Sequence, residues 1–134
     1  MGALPQQGVV QRVQGCWALT RGPWWPPLPI GEDSIFSALP RRIELQNRRG
    51  TGVFEKEGWL VRPASGQPSS VHTYSYFAPL GQDTVEIVWT TGFSGLTMRL
   101  GVTRDTLRGV AETFWDFPRP TQTTKVVLTR VQCP

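Results

Sequence analysis

The sequence predicts an all-β domain, an eight-stranded antiparallel up-and-down β-barrel, and three observations carry that prediction. From residue 41 onward, apolar and polar residues alternate with the period of two that half-buried strands need, while helix-period segments are nearly absent. Short turns containing Gly, Asn or Asp separate the runs, as hairpins between antiparallel neighbours require. The runs number eight in a chain of 134 residues; that length suits one core, and a meander of eight strands hides its edges best by closing on itself. The whole chain, 1–134, is therefore read as one domain, with residues 1–13 as an N-terminal arm.

Taken in order, Pro5 to Val13 begins with a proline and carries Val9, Val10 and Val13, which suits a short helical turn before the first strand. Strands are expected at about 15–20, 41–47, 52–61, 70–78, 84–91, 95–102, 106–116 and 124–133. "NRRG" (47–50), "PLGQD" (79–83) and "TRD" (103–105) are read as turns. Charged residues fix which face points inward, because alternate residues of a strand face opposite ways. Arg42 and Glu44 send Ile43 and Leu45 inward, Glu86 sends Val85, Ile87 and Trp89 inward, and Arg99 does the same for Leu96, Met98 and Leu100. Arg108 and Glu112 place Leu107, Gly109, Ala111, Thr113 and Trp115 inside. The small residues Gly109, Ala111 and Thr113 in succession either leave a cavity or make room for a ring such as Trp89 from across the barrel. Strand four carries no charge, so its facing stays open.

Composition narrows the function classes. Hydrophobic residues make up 39% and charged residues 18% of the chain, a globular balance. No apolar run approaches the roughly 20 residues of a membrane-spanning helix, and the first residues lack the pattern of a signal peptide. The net charge is +4, and only two of the fourteen basic residues are lysines, Lys56 and Lys125. The doublets Arg41-Arg42 and Arg48-Arg49 are too short to indicate a nucleic-acid partner and are read as a solvated surface. Cys16 and Cys133, with no histidine or third cysteine spaced for coordination, argue against a metal site and leave a disulfide or two idle thiols.

Gly15-x-Trp17 at the start of the first strand, a long first loop, seven further strands and Arg130 in "KVVLTRVQC" together resemble the lipocalin pattern of the calycin superfamily, in a short form of bacterial type. The resemblance implies that Trp17 closes one end of the barrel and that Arg130 packs across it, a guanidinium over an indole. A further family motif between strands six and seven is echoed only by Thr103 and Asp105. In a closed meander the first and last strands are neighbours, and Trp17 and Arg130 inward put Cys16 and Cys133 outward on the same side. The barrel therefore favours a Cys16–Cys133 disulfide and, with it, a secreted or periplasmic location from which a signal has been removed.

The opposite end then carries loops 21–40, 62–69, 91–95 and 116–123. "PWWPPLP" within 21–40 is read as a proline-stiffened aromatic lid. The expected function is non-enzymatic binding or transport of a small hydrophobic or aromatic ligand inside the barrel. Its site would be drawn from Trp24, Trp25, Tyr74, Tyr76, Trp89, Met98, Ala111, Thr113, Trp115, Phe117 and Arg119. The rival reading is an extracytoplasmic protein-binding or inhibitor barrel that uses the same aromatic loops. No catalytic residue is named: His72 is the only histidine, no serine sits in a nucleophile elbow, and no cofactor is implied.

Overall fold

The computed structural model describes residues 5–27, 41–50, 58–64, 75–90, 94–115 and 120–134. Helix α1 (Pro5–Val13) is followed by β1 (Gly15–Arg21), β2 (Arg42–Arg49), β3 (Trp59–Pro63), β4 (Tyr76–Pro79), β5 (Thr84–Thr90), β6 (Gly95–Thr103), β7 (Thr106–Phe114) and β8 (Thr123–Val131). Each strand pairs with its sequence neighbours, and β8 returns to β1, so the eight strands form a closed antiparallel barrel. None of the described helices is long and apolar enough to cross a membrane.

The seam between β1 and β8 places Trp17 opposite Arg130 and Cys16 opposite Val131. Cys16 and Cys133 are bonded to each other with Cα atoms 5.2 Å apart. Helix α1 closes the adjoining end of the barrel. Pro5 at its first position needs no backbone donor, and Val9, Val10 and Val13 form one apolar face that is buried in the core. Arg12, in its last turn, donates to the Gln82 carbonyl at 2.8 Å and pairs with Asp83 at 2.7 Å, which holds the helix over the β4–β5 turn. Gly15 ends the helix with φ +128°, a conformation that side chains rarely adopt.

Inward facing follows the charges closely. Ile43, Val85, Ile87, Trp89, Met98, Leu100, Leu107 and Leu128 are fully buried. Gly109 leaves no cavity. A Cβ placed there would fall on the Arg99 carbonyl oxygen and 3.1 Å from Leu100 Cα, so the glycine lets the β6 and β7 backbones approach closely. Gly109→Ala should therefore cost about 1–3 kcal/mol of stability in urea unfolding. Gly101→Ala, on the same ladder but with its nearest atom at 3.8 Å, should change stability by no more than about 0.5 kcal/mol. Equal effects of the two substitutions would reject the close-approach explanation.

Two expectations need correction, and a third is described only in part. "NRRG" is not a turn: β2 continues through Arg49, which pairs with Trp59 across a register shift, and residues 51–57 lie outside the described residues. The Arg49 guanidinium lies 4.5 Å over the Trp59 ring, so what reads as a polar turn is a strand end covering an aromatic. The third strand, expected at 52–61, is described only from Trp59 and runs on to Pro63, taking Arg62 and Pro63 out of the expected loop. The fourth, expected at 70–78, is described as Tyr76–Pro79, and residues 65–74 lie outside the described set.

Candidate functional site

The closed end is a structural seal. Trp17 is fully buried and donates from Nε1 to the Val13 carbonyl at 2.9 Å. Arg130 lies 4.4 Å over the Trp17 ring. Its guanidinium donates to the carbonyls of Arg12 (2.6 Å) and Gln14 (2.9 Å) and to Asp105 at 3.0 Å. It thereby satisfies acceptors that the end of α1 would otherwise leave unpaired. Asp105, on the turn after β6, also accepts the Arg130 backbone N–H. The sequence singled out Trp17, Arg130 and the Asp105 echo, and the structure brings all three together.

The same end places Cys16 Sγ, Cys133 Sγ and the Glu44 carboxylate within 4.8 Å of one another. The two sulfurs are bonded to each other, so they offer no thiolate to a metal.

The other end is built differently. Loop residues following β1 run alongside the start of β8, where Trp25 and Thr123 exchange two backbone hydrogen bonds of 2.9 Å. This bridge turns the two adjacent indoles opposite ways. Trp24 is 8% exposed and joins the core, whereas Trp25 is 74% exposed on the outside. Arg21 stacks over Trp24 at 5.8 Å. Of the two tryptophans expected at the ligand site, Trp24 alone faces the interior.

This end also carries a layer of buried polar groups. Gln122 Oε1 accepts from Thr113 Oγ1 at 2.9 Å and from Trp115 Nε1 at 3.3 Å. The Gln122 backbone N–H in turn donates to Thr113 Oγ1 at 2.8 Å. Across the barrel, Tyr76 pairs with Val88 at the end of the β4–β5 ladder, and Ser75 and Trp89 are the next residues beyond that pair on either side. Both are fully buried, and neither Ser75 Oγ nor Trp89 Nε1 has a hydrogen-bond partner. A buried polar group without a partner costs about 1–3 kcal/mol, and here two occupy neighbouring inward positions.

Of the expected site residues, Trp24, Trp89, Thr113 and Trp115 belong to this mouth-side layer. Met98 and Ala111 are buried in the wall and paired with each other across β6 and β7. Tyr76 does not share the layer. Ser75 and Phe77 are the fully buried neighbours on strand four, which puts Tyr76 on the opposite face. Tyr74, His72, Phe117, Arg119 and loop residues 28–40 lie outside the described residues. Sequence reasoning missed Ser75 and Gln122. Ser75 follows from strand-four alternation once Phe77 is known to be inside; Gln122 sits just before β8 and gave no signal of its own.

The outer wall also carries surface cavities. One of about 440 Å³ is lined by Gly22, Pro23, Trp25, Val110, Thr123, Thr124 and Lys125. Another of about 260 Å³ shares Val110 and extends over Thr97, Arg99 and Glu112.

Fold and site together define a small closed antiparallel barrel, plugged at one end by its own helix and lined by an aromatic and polar layer under the other. No family model, curated protein or solved structure matches the chain.

Proposed function

We propose that this barrel is a non-enzymatic, lipocalin-like binding protein of the calycin type, which takes a small, largely apolar molecule into its mouth-side layer. The observation that carries this reading is the pair of buried, unpartnered polar atoms, Ser75 Oγ and Trp89 Nε1. Buried polar groups are nearly always satisfied in folded proteins, and an unmet pair among buried aromatic residues marks a place where a ligand atom would be matched. The filled lower barrel supports a short site rather than a deep one. Binding would need Trp24 to swing away, and the ligand would then bury apolar area at roughly 25 cal/mol per Å² before ordering costs. The Cys16–Cys133 disulfide supports an oxidising compartment, secreted or periplasmic.

The test is a tryptophan-fluorescence titration with a panel of aliphatic and aromatic compounds. A saturable single-site response is expected. Trp24→Ala should alter it by about tenfold or more in apparent affinity, because the indole joins the core at that end, whereas Trp25→Ala should leave it within about twofold. A second reading, a protein-binding barrel, draws on the exposed Trp25 beside Val110, itself 46% exposed, and on the outer cavity between them. It predicts the reverse dependence, with binding lost on replacing Trp25 and kept on replacing Trp24.

A further inference from the structure

The chemistry of the mouth-side layer narrows the class of ligand. Trp89 Nε1 can only donate, and a serine hydroxyl can donate as well as accept. The two unpartnered groups are therefore matched together by an oxygen that accepts. The charge of that oxygen is restricted by the surroundings. Arg41, Arg42, Arg48, Arg49, Arg99, Arg104, Arg108 and Lys125 are exposed. Arg12 is engaged with Gln82 and Asp83, Arg21 is exposed above Trp24, and Arg62 donates to its own strand at the Val61 carbonyl. Arg130 is committed at the opposite end, on Asp105 and the carbonyls of Arg12 and Gln14. Among the described residues, then, no cation is turned into the layer that holds Ser75 and Trp89. A carboxylate buried there would meet two donors but, among the described residues, no counter-charge, and an uncompensated buried charge is far costlier than a buried neutral dipole.

We infer that Ser75 Oγ and Trp89 Nε1 form the recognition point for an uncharged hydrogen-bond acceptor, the carbonyl or hydroxyl oxygen of a ketone, ester or alcohol, carried inward at the head of an apolar chain. This rests on the interior-binding reading above and specifies its ligand: a neutral lipid-like oxygenated molecule and not a fatty-acid anion. The orientation is also set. The oxygenated end lies deep, against Trp89, and the apolar body extends past Trp24 and Trp115 toward the mouth.

The test uses the oxidised protein and four compounds of equal chain length: 2-decanone, 1-decanol, decanoate and decane. Binding is followed by fluorescence and by the indole N–H resonance of Trp89, assigned from its disappearance in Trp89→Phe. The ketone and the alcohol should bind, and the ketone should move the Trp89 indole proton downfield as it gains an acceptor. Decanoate at pH 7 should bind on the order of 100-fold more weakly than the ketone and regain affinity as it is protonated at lower pH. Decane should bind about tenfold more weakly than the ketone, the contribution of the hydrogen bonds. Trp89→Phe keeps the ring and removes the donor, so it should bring ketone and alkane affinities together; Ser75→Ala should narrow the same gap and guards against a Trp89 variant that fails to fold. Decanoate binding as tightly as the ketone at pH 7 would overturn the inference while leaving interior binding intact. So would alkane and ketone binding equally in the unmodified protein. If no compound perturbs fluorescence or the Trp89 resonance, the interior-binding reading itself falls.

Discussion

Replacing Trp17 by alanine should remove about 3–5 kcal/mol of unfolding free energy, the range for a fully buried large aromatic. The effect is expected at the top of that range because three interactions end together. The indole fills the closed end with no exposed surface, its Nε1 satisfies the Val13 carbonyl, and its face receives the Arg130 guanidinium. Without the ring, Arg130 would stand over a void, and the carbonyls of Arg12 and Gln14 that it now satisfies would be less firmly held. Trp17→Phe separates the contributions. It keeps most of the volume and the face for Arg130 but strands the Val13 carbonyl, so about 1–3 kcal/mol should be lost. Urea unfolding followed by circular dichroism reads both. A loss under about 1 kcal/mol for Trp17→Ala would mean that the closed end is held by α1 alone.

The second large effect is that of reduction. The disulfide joins residues separated by 117 positions, and chain-entropy arguments give a stabilisation of up to about 5 kcal/mol for so long a loop. It acts chiefly on the unfolded ensemble, since the native seam is already held by the β1–β8 ladder from Cys16 to Arg21 and by Arg130. Two signatures should therefore appear together when oxidised and reduced protein are unfolded in urea. The midpoint should fall on reduction, and the slope should rise, because the uncrosslinked chain exposes more surface when it unfolds. A midpoint that falls with the slope unchanged would point instead to damage of the native seam. Coincident transitions would show that the bond contributes nothing to stability.

The barrel was legible wherever a charge marked the outer face. Glu86 and Arg99 pair across β5 and β6, and every residue alternating with them is buried as expected. The two cysteines were legible because closing a meander sets its first strand beside its last, whereas Trp17 and Arg130 came only from the resemblance of short motifs and not from strand patterning. The mouth was less legible. Strand four has no charge near Tyr74, Ser75 and Tyr76, so its parity could not be read, and the larger tyrosines drew attention from the serine that faces in. Trp24 and Trp25 look equivalent in sequence, yet the backbone bridge to Thr123 sends one in and the other out. Gly109 looked like vacant space because a sequence shows a missing side chain but not the neighbouring backbone that occupies its place.

The seam has one more consequence, for the order in which the molecule is assembled. Every ladder but one joins strands consecutive along the chain; the exception unites Gly15–Arg21 with Thr123–Val131. Local hairpins can form as the polypeptide lengthens, but the ring cannot shut until its last strand has emerged. Until then the growing sheet has a free border at β1, with backbone donors and acceptors open to pairing with a stranger. Arg130 and Cys133, which fasten that border, follow the other seven strands along the chain. Synthesis stopped short of β8 would leave not a slightly weaker barrel but an open, adhesive sheet.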